Sequence, residues 1–175
     1  MELAGAQLKD LVRDVPDFPR PGVVFKDITP LLADRQGFAV CIDALADRFS
    51  AEDVDKVVGI EARGFIIAAP VAYRLSAGFV PVRKKGKLPF AVYSDAYQLE
   101  YGADTLEVHT DSIKPGERVL LLDDVLATGG TAAATRRLVD KRGGHTVGFG
   151  CVLELGFLNG RQRLADLPIE ALVSC

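Results

Sequence analysis

Four consecutive apolar residues, Val119-Leu120-Leu121-Leu122, run directly into two carboxylates, Asp123 and Asp124. Val125-Leu126 then leads into the small and hydroxyl residues Ala127-Thr128-Gly129-Gly130-Thr131. An uninterrupted apolar run of this length suits a strand covered on both faces, not one with a wet side. Four further segments have similar strand character: Lys56 to Ile60, Phe79 to Val82, Val147 to Leu153 and Ile169 to Val173, with the first of the five runs extending from Arg118 to Leu122. Between them lie helical stretches. From Phe38, the residues Cys41, Ile42, Leu45, Ala46 and Phe49 recur at three- and four-residue intervals. Gly64 to Leu75 is apolar enough for a buried helix, and a helix from Gly130 to Arg142 stops at Gly143-Gly144. Strands alternating with helices predict an α/β fold: a mainly parallel five-stranded sheet flanked by helices, in a single domain of 175 residues.

Two segments fall outside the alternation. Phe18-Pro19-Arg20-Pro21-Gly22 is broken by proline and glycine and leads into the extended-looking Val23 to Asp27. Between Leu88 and Pro115, Val92 to Gln98 and Thr105 to His109 read as strands around a turn near Tyr101 to Asp104, an inserted β-hairpin expected to act as a lid.

The remaining composition mainly excludes. A net charge of -3 provides no global field for nucleic acid or an anionic membrane. No secretory signal or membrane-length apolar stretch is visible, and three cysteines without CxxC spacing suit reduced thiols, so a cytoplasmic protein is expected. The two histidines, His109 and His145, have no metal-spaced partners and receive no catalytic role.

In sheets of this class ligands gather beyond the carboxyl ends of the strands, where the acids and the small loop lie. A loop of this kind turns backbone N–H groups toward one point, and the start of the following helix adds partial positive charge. Thr128 and Thr131 add hydroxyl donors, and Gly129 and Gly130 permit close approach. Alone, Thr-Gly-Gly-Thr would be a tight turn. Behind a buried strand and two acids it makes an anion cradle at Ala127 to Thr131, with Asp123 and Asp124 placed to hold hydroxyls. A ribose 5-phosphate satisfies both, with its phosphate in the cradle and its 2- and 3-hydroxyls on the carboxylates. Neither GxxxxGK[ST] nor a helix-opening GxGxxG is present, which removes support from nucleotide triphosphatase and dinucleotide readings.

Asp123 to Thr131 closely resembles the phosphoribosyl pyrophosphate motif of the type I phosphoribosyltransferases, and most of all those that act on adenine. Phe18 to Leu32, Gly59 to Phe65, Val82 to Pro89, Leu99 to Gly102 and Val152 to Gly160 also resemble that family, in the expected order. The resemblance implies conversion of adenine and phosphoribosyl pyrophosphate to AMP and pyrophosphate with Mg²⁺ held mainly by substrate, in a homodimer. It implies that Arg63 in Gly59 to Gly64 binds pyrophosphate, near a non-proline cis peptide at Glu61-Ala62. Arg83, Lys84 and Lys87 would bind the same group, Lys84 being the weakest assignment. Glu100-Tyr101 corresponds to the catalytic loop, with Glu100 as base or hydrogen-bond acceptor for the purine. An amino-terminal hood would bind the base through the main chain of Val24 and Lys26, with Phe25 and Leu155 against the ring. Many relatives carry arginine where Lys26 stands, so the planar fork is lost. Two rivals remain open: a transferase for hypoxanthine, guanine or xanthine, and a regulator that binds the activated sugar without turnover.

Overall fold

The computed structural model describes residues 7–98 and 103–175. A two-stranded antiparallel sheet comes first, β1 (Arg13–Pro16) against β2 (Val24–Asp27). Short α1 (Thr29–Ala33) and α2 (Arg35–Arg48) follow, then β3 (Lys56–Ile60), α3 (Gly64–Arg74) and β4 (Gly78–Lys84). The hairpin strands β5 (Val92–Gln98) and β6 (Ala103–His109) precede β7 (Arg118–Leu126), α4 (Gly130–Lys141), β8 (His145–Glu154) and β9 (Ile169–Ser174). Two 3₁₀ turns, Gly156–Leu158 and Gly160–Leu164, join the last two strands.

The main sheet has seven strands in the order β5-β6-β4-β3-β7-β8-β9. Strands β4, β3, β7, β8 and β9 are parallel neighbours and correspond to the five expected from the sequence. The hairpin is part of the same sheet. Strand β4 runs on past Val82 to Lys84, and β6 pairs antiparallel with that extension at Arg83↔Glu107 and Lys84↔Leu106. An unpaired parallel edge would expose its N–H and C=O groups, and the hairpin covers part of it.

Helices cover both faces, as predicted. On one side Cys41, Ile42, Leu45, Ala46 and Phe49 of the α2 segment, with Ile67, Ala68 and Val71 of α3, pack against Val57, Leu120 and Leu122. On the other, Ala132, Ala134, Leu138 and Val139 of α4 pack against Val58, Val80, Val119 and Leu121. The α2 helix starts at Asp34, whose carboxylate accepts the Gly37 N–H at 2.6 Å, a side-chain cap. Among the described residues no helix is long and apolar enough to cross a membrane.

Strand β7 extends four residues beyond the expected Leu122, so Asp123 and Asp124 lie within it. The long neighbour β8 supplies partners there, including Asp123↔Cys151 and Val125↔Leu153. The facing of β7 reverses at the acids. Leu120 and Leu122 join the α2/α3 core, Val119 and Leu121 the α4 core, but beyond the acids Val125 packs with the first and Leu126 with the second. Strict alternation would have placed Leu126 with Leu122.

Candidate active site

The carboxyl ends of β3, β4 and β7 bring three groups of side chains together. The first is the acid pair. The carboxylate of Asp123 abuts the start of α3, where a Cβ on Gly64 would stand 2.8 Å from Asp123 Oδ1. Only glycine lets the helix begin so close. The same Oδ1 accepts the Asp124 N–H at 2.9 Å. Asp124 is buried, with Oδ2 2.6 Å from Arg63 Nε. The Arg63 N–H is not aligned on that oxygen, so Oδ2 has charge compensation but no directed hydrogen bond among the described residues. Desolvation, together with the charge of Asp124 beside it, holds the Asp123 carboxyl well above its ordinary value. The pair thus combines a carboxyl that resists ionisation with a carboxylate oxygen short of donors, a suitable setting for neighbouring hydroxyls.

The second group is the loop that opens α4. Gly129 caps the helix with φ 76°, in the left-handed region, and no side chain caps the first turn. The N–H groups of that turn are therefore available to an anion. Thr128 is exposed, Ala127 and Thr131 half-buried, and with Asp123 they line a concavity of about 60 Å³. The loop rests on the 3₁₀ segment: a Cβ on Gly129 would strike the Gly160 carbonyl, and one on Gly160 would strike that of Ala127. Arg161 secures the segment, donating to Glu154 Oε1 at 2.6 Å and to the Ile169 carbonyl at 3.1 Å. The sequence reading missed Gly160 and Arg161, because a contact between residues some thirty positions apart leaves no local pattern.

The third group is cationic. After the cis peptide at Glu61-Ala62, which lies where expected, Glu61 accepts from Arg83 Nε at 3.3 Å, from the Lys84 N–H at 2.9 Å and from the Lys87 ammonium. Burial pushes the Glu61 carboxyl up, but the hydrogen bonds from Lys87, Lys84 and Arg83 outweigh it and bring the pKa down to about 2. The sequence marks no role for Glu61, although it lies within the Gly59 to Gly64 segment. It now stands at the hub of the basic loop, the stretch Arg83 to Lys87 at and beyond the end of β4. The structure brings Arg83 and Lys87 together on Glu61. The Lys84 side chain points elsewhere, to Asp104 on β6 at 3.1 Å.

Arg63 connects the acid pair to the amino-terminal arm, its guanidinium lying 5.3 Å from the centre of the Phe25 ring while Nε meets Asp124. Phe18 packs edge-on against Phe25 at 5.2 Å. Val24 is exposed, and the Lys26 ammonium bonds Asp14 across the two-stranded sheet at 2.7 Å. Leu155 lies just past β8, against the α2/α3 core, with its N–H on the Leu126 carbonyl at 2.9 Å. Glu100 and Tyr101 lie outside the described residues.

The model of the phosphoribosyl transferase domain family matches residues 27–166. The adenine phosphoribosyltransferase of Trichormus variabilis is 58% identical over 168 residues, covering 95% of this chain and 98% of that relative. The crystal structure of adenine phosphoribosyltransferase from Rhodothermus marinus superposes with a TM-score of 0.95 at 52% identity, covering all of both chains. The Saccharomyces cerevisiae enzyme, complexed with an imino-altritol bisphosphate and adenine, gives 0.94 at 36% identity, over 98% of this chain and 99% of that one. On this match across nearly its whole length, the chain belongs to the phosphoribosyltransferase family, among the adenine phosphoribosyltransferases.

Proposed function

We propose that this chain converts adenine and phosphoribosyl pyrophosphate to AMP and pyrophosphate, a reaction of purine salvage. The observation that carries the reading is the acid pair and the uncapped first turn of α4 at the end of one strand, a site for a sugar phosphate. In this reading Ala127 to Thr131 take the 5-phosphate and Asp123 and Asp124 the ribose hydroxyls. Arg83 and Lys87, gathered on Glu61, and Arg63, held against Asp124, take the pyrophosphate. The main chain of Val24 and Lys26 reads the base edge, with Phe25 and Leu155 on its faces. The lone pair of the imidazole-ring nitrogen forms the bond to the anomeric carbon as the C–O bond breaks, and the electron pair leaves on pyrophosphate. The ring proton passes to Glu100, which Tyr101 follows in the sequence. Most of the catalysis is positioning and charge stabilisation.

Mg²⁺ would be held mainly by the pyrophosphate, the ribose hydroxyls and water, because a hard cation favours oxygen donors. It would offset charge on the departing pyrophosphate. The single domain works as a homodimer in the cytoplasm, which the unpaired thiols of Cys41, Cys151 and Cys175 suit.

Steady-state assays with adenine, hypoxanthine, guanine and xanthine test the reading. Adenine is expected to be used fastest, and hypoxanthine overtaking it would overturn the choice of base. Asp123→Asn with Asp124→Asn should raise the KM for phosphoribosyl pyrophosphate by roughly 10- to 100-fold, the scale of a charge-assisted hydrogen bond or two. An unchanged KM would remove the ribose assignment.

A further inference from the structure

The stem of the hairpin is fastened by side chains both to the helix that carries the phosphate loop and to the basic loop. On β5, Asp95 is buried and accepts from Arg137 through Nε at 2.9 Å and Nη2 at 2.6 Å, and from the Lys141 ammonium at 2.9 Å. Lys141 also donates to the Ser94 carbonyl at 3.0 Å. Arg137 and Lys141 are four residues apart on one face of α4, whose first turn is the phosphate loop. On β6, buried Glu107 accepts the Gly86 N–H at 2.8 Å and the Ser94 hydroxyl at 3.3 Å, and Asp104 takes the Lys84 ammonium. Gly86 and Lys84 belong to the basic loop. Tyr97, Leu106 and Val108 complete the stem by packing in the same core as Ala132, Leu138 and Val139 of α4. Apolar side chains alone would join the hairpin to the helix at no desolvation cost, whereas a buried carboxylate needs well-placed donors. What the ionic arrangement adds is a defined position.

The geometry points to the hairpin stem as a spacer that sets the separation of the phosphate loop from the basic loop, with Asp95 as the positioning residue on the α4 side. The inference rests on the transferase reading above. Phosphoribosyl pyrophosphate has a phosphate at one end and a diphosphate at the other, and both loops must hold it at once. Once one end is bound, the other binds intramolecularly, and the gain depends on the spacing matching the ligand. Loosening the stem leaves each loop intact and penalises only a ligand that spans both.

Calorimetric titration of full-length Asp95→Asn with three ligands separates these effects. Ribose 5-phosphate, which reaches the phosphate loop alone, and Mg²⁺-pyrophosphate, which reaches the basic loop alone, should each bind within about twofold of wild type. Phosphoribosyl pyrophosphate should bind about tenfold more weakly, a fraction of the advantage of two-point attachment. Arg137→Gln with Lys141→Gln removes the same link from side chains 49% and 45% exposed, so that variant keeps the test available if Asp95→Asn does not fold. In turnover, the KM for phosphoribosyl pyrophosphate should rise while that for adenine stays. Unchanged affinity for the full substrate overturns the inference, as does an equal loss for all three ligands, which indicates general loosening. A wild-type chain that binds none of the three overturns the transferase reading, and the inference with it.

Discussion

Glu61 shows how a residue can be in plain view in a sequence and still have an illegible role. Its side chain is only 7% exposed and gathers donors from residues more than twenty positions away. The electrostatics have a testable sign. The folded pKa is about 2 against an ordinary 4.5, so the ionised form is favoured by folding. That contribution is complete above the ordinary value and disappears as pH falls through the folded one. Glu61→Gln should therefore be less stable than wild type in urea unfolding at neutral pH, and the gap should close between about pH 4.5 and about pH 2. A gap independent of pH would mean that the effect is one of packing. The family resemblance points to Arg63; a cation at a helix start is unfavourable without an anion nearby, and the anion in this structure is Asp124.

At the scale of elements, the parallel strands and major helices were legible because each buries a repeating apolar pattern within one segment. The partner of β2 was not. Arg13-Asp14-Val15-Pro16 has no alternation to mark it, and its pairing depends on cross-strand bonds such as Arg13 to Asp27 at 2.6 Å. The two acids were expected just past a strand and lie inside it, because a strand's length is decided by its neighbours as well as by its own residues. The loop above α4 depends in the same way on an element outside its motif. A methyl group at Gly160 would meet main-chain atoms of Ala127 and Gly129 that cannot turn aside. Gly160→Ala should destabilise the chain by about 1–3 kcal/mol and raise the KM for phosphoribosyl pyrophosphate more than that for adenine. Thermal melts and steady-state kinetics together check this, and wild-type values in both would show that the segment does not support the loop.

At the scale of the whole molecule, helix α3 leaves large apolar side chains exposed. Ile66 and Tyr73, seven residues apart on one face of α3, are 44% and 86% exposed, and the partly exposed Phe79 of β4 is in edge contact with Phe65 of α3 at 5.8 Å. Aromatic and branched side chains grouped on a helix face suit a protein interface. Ile66→Asp with Tyr73→Asp should shift the sedimentation of the proposed homodimer toward the monomer, and a wild-type chain already monomeric at micromolar concentration would refute the dimer. The sequence by itself determined the fold class, the five parallel strands and the small-residue loop that opens α4, because each follows from local periodicity or a contiguous motif. Tertiary structure alone decided that the hairpin joins the sheet, that Glu61 collects the basic loop, that Lys26 and Lys84 turn toward Asp14 and Asp104, and that Gly160 supports the cradle. Those outcomes depend on charges and close contacts between distant segments, which exist only after the chain has packed.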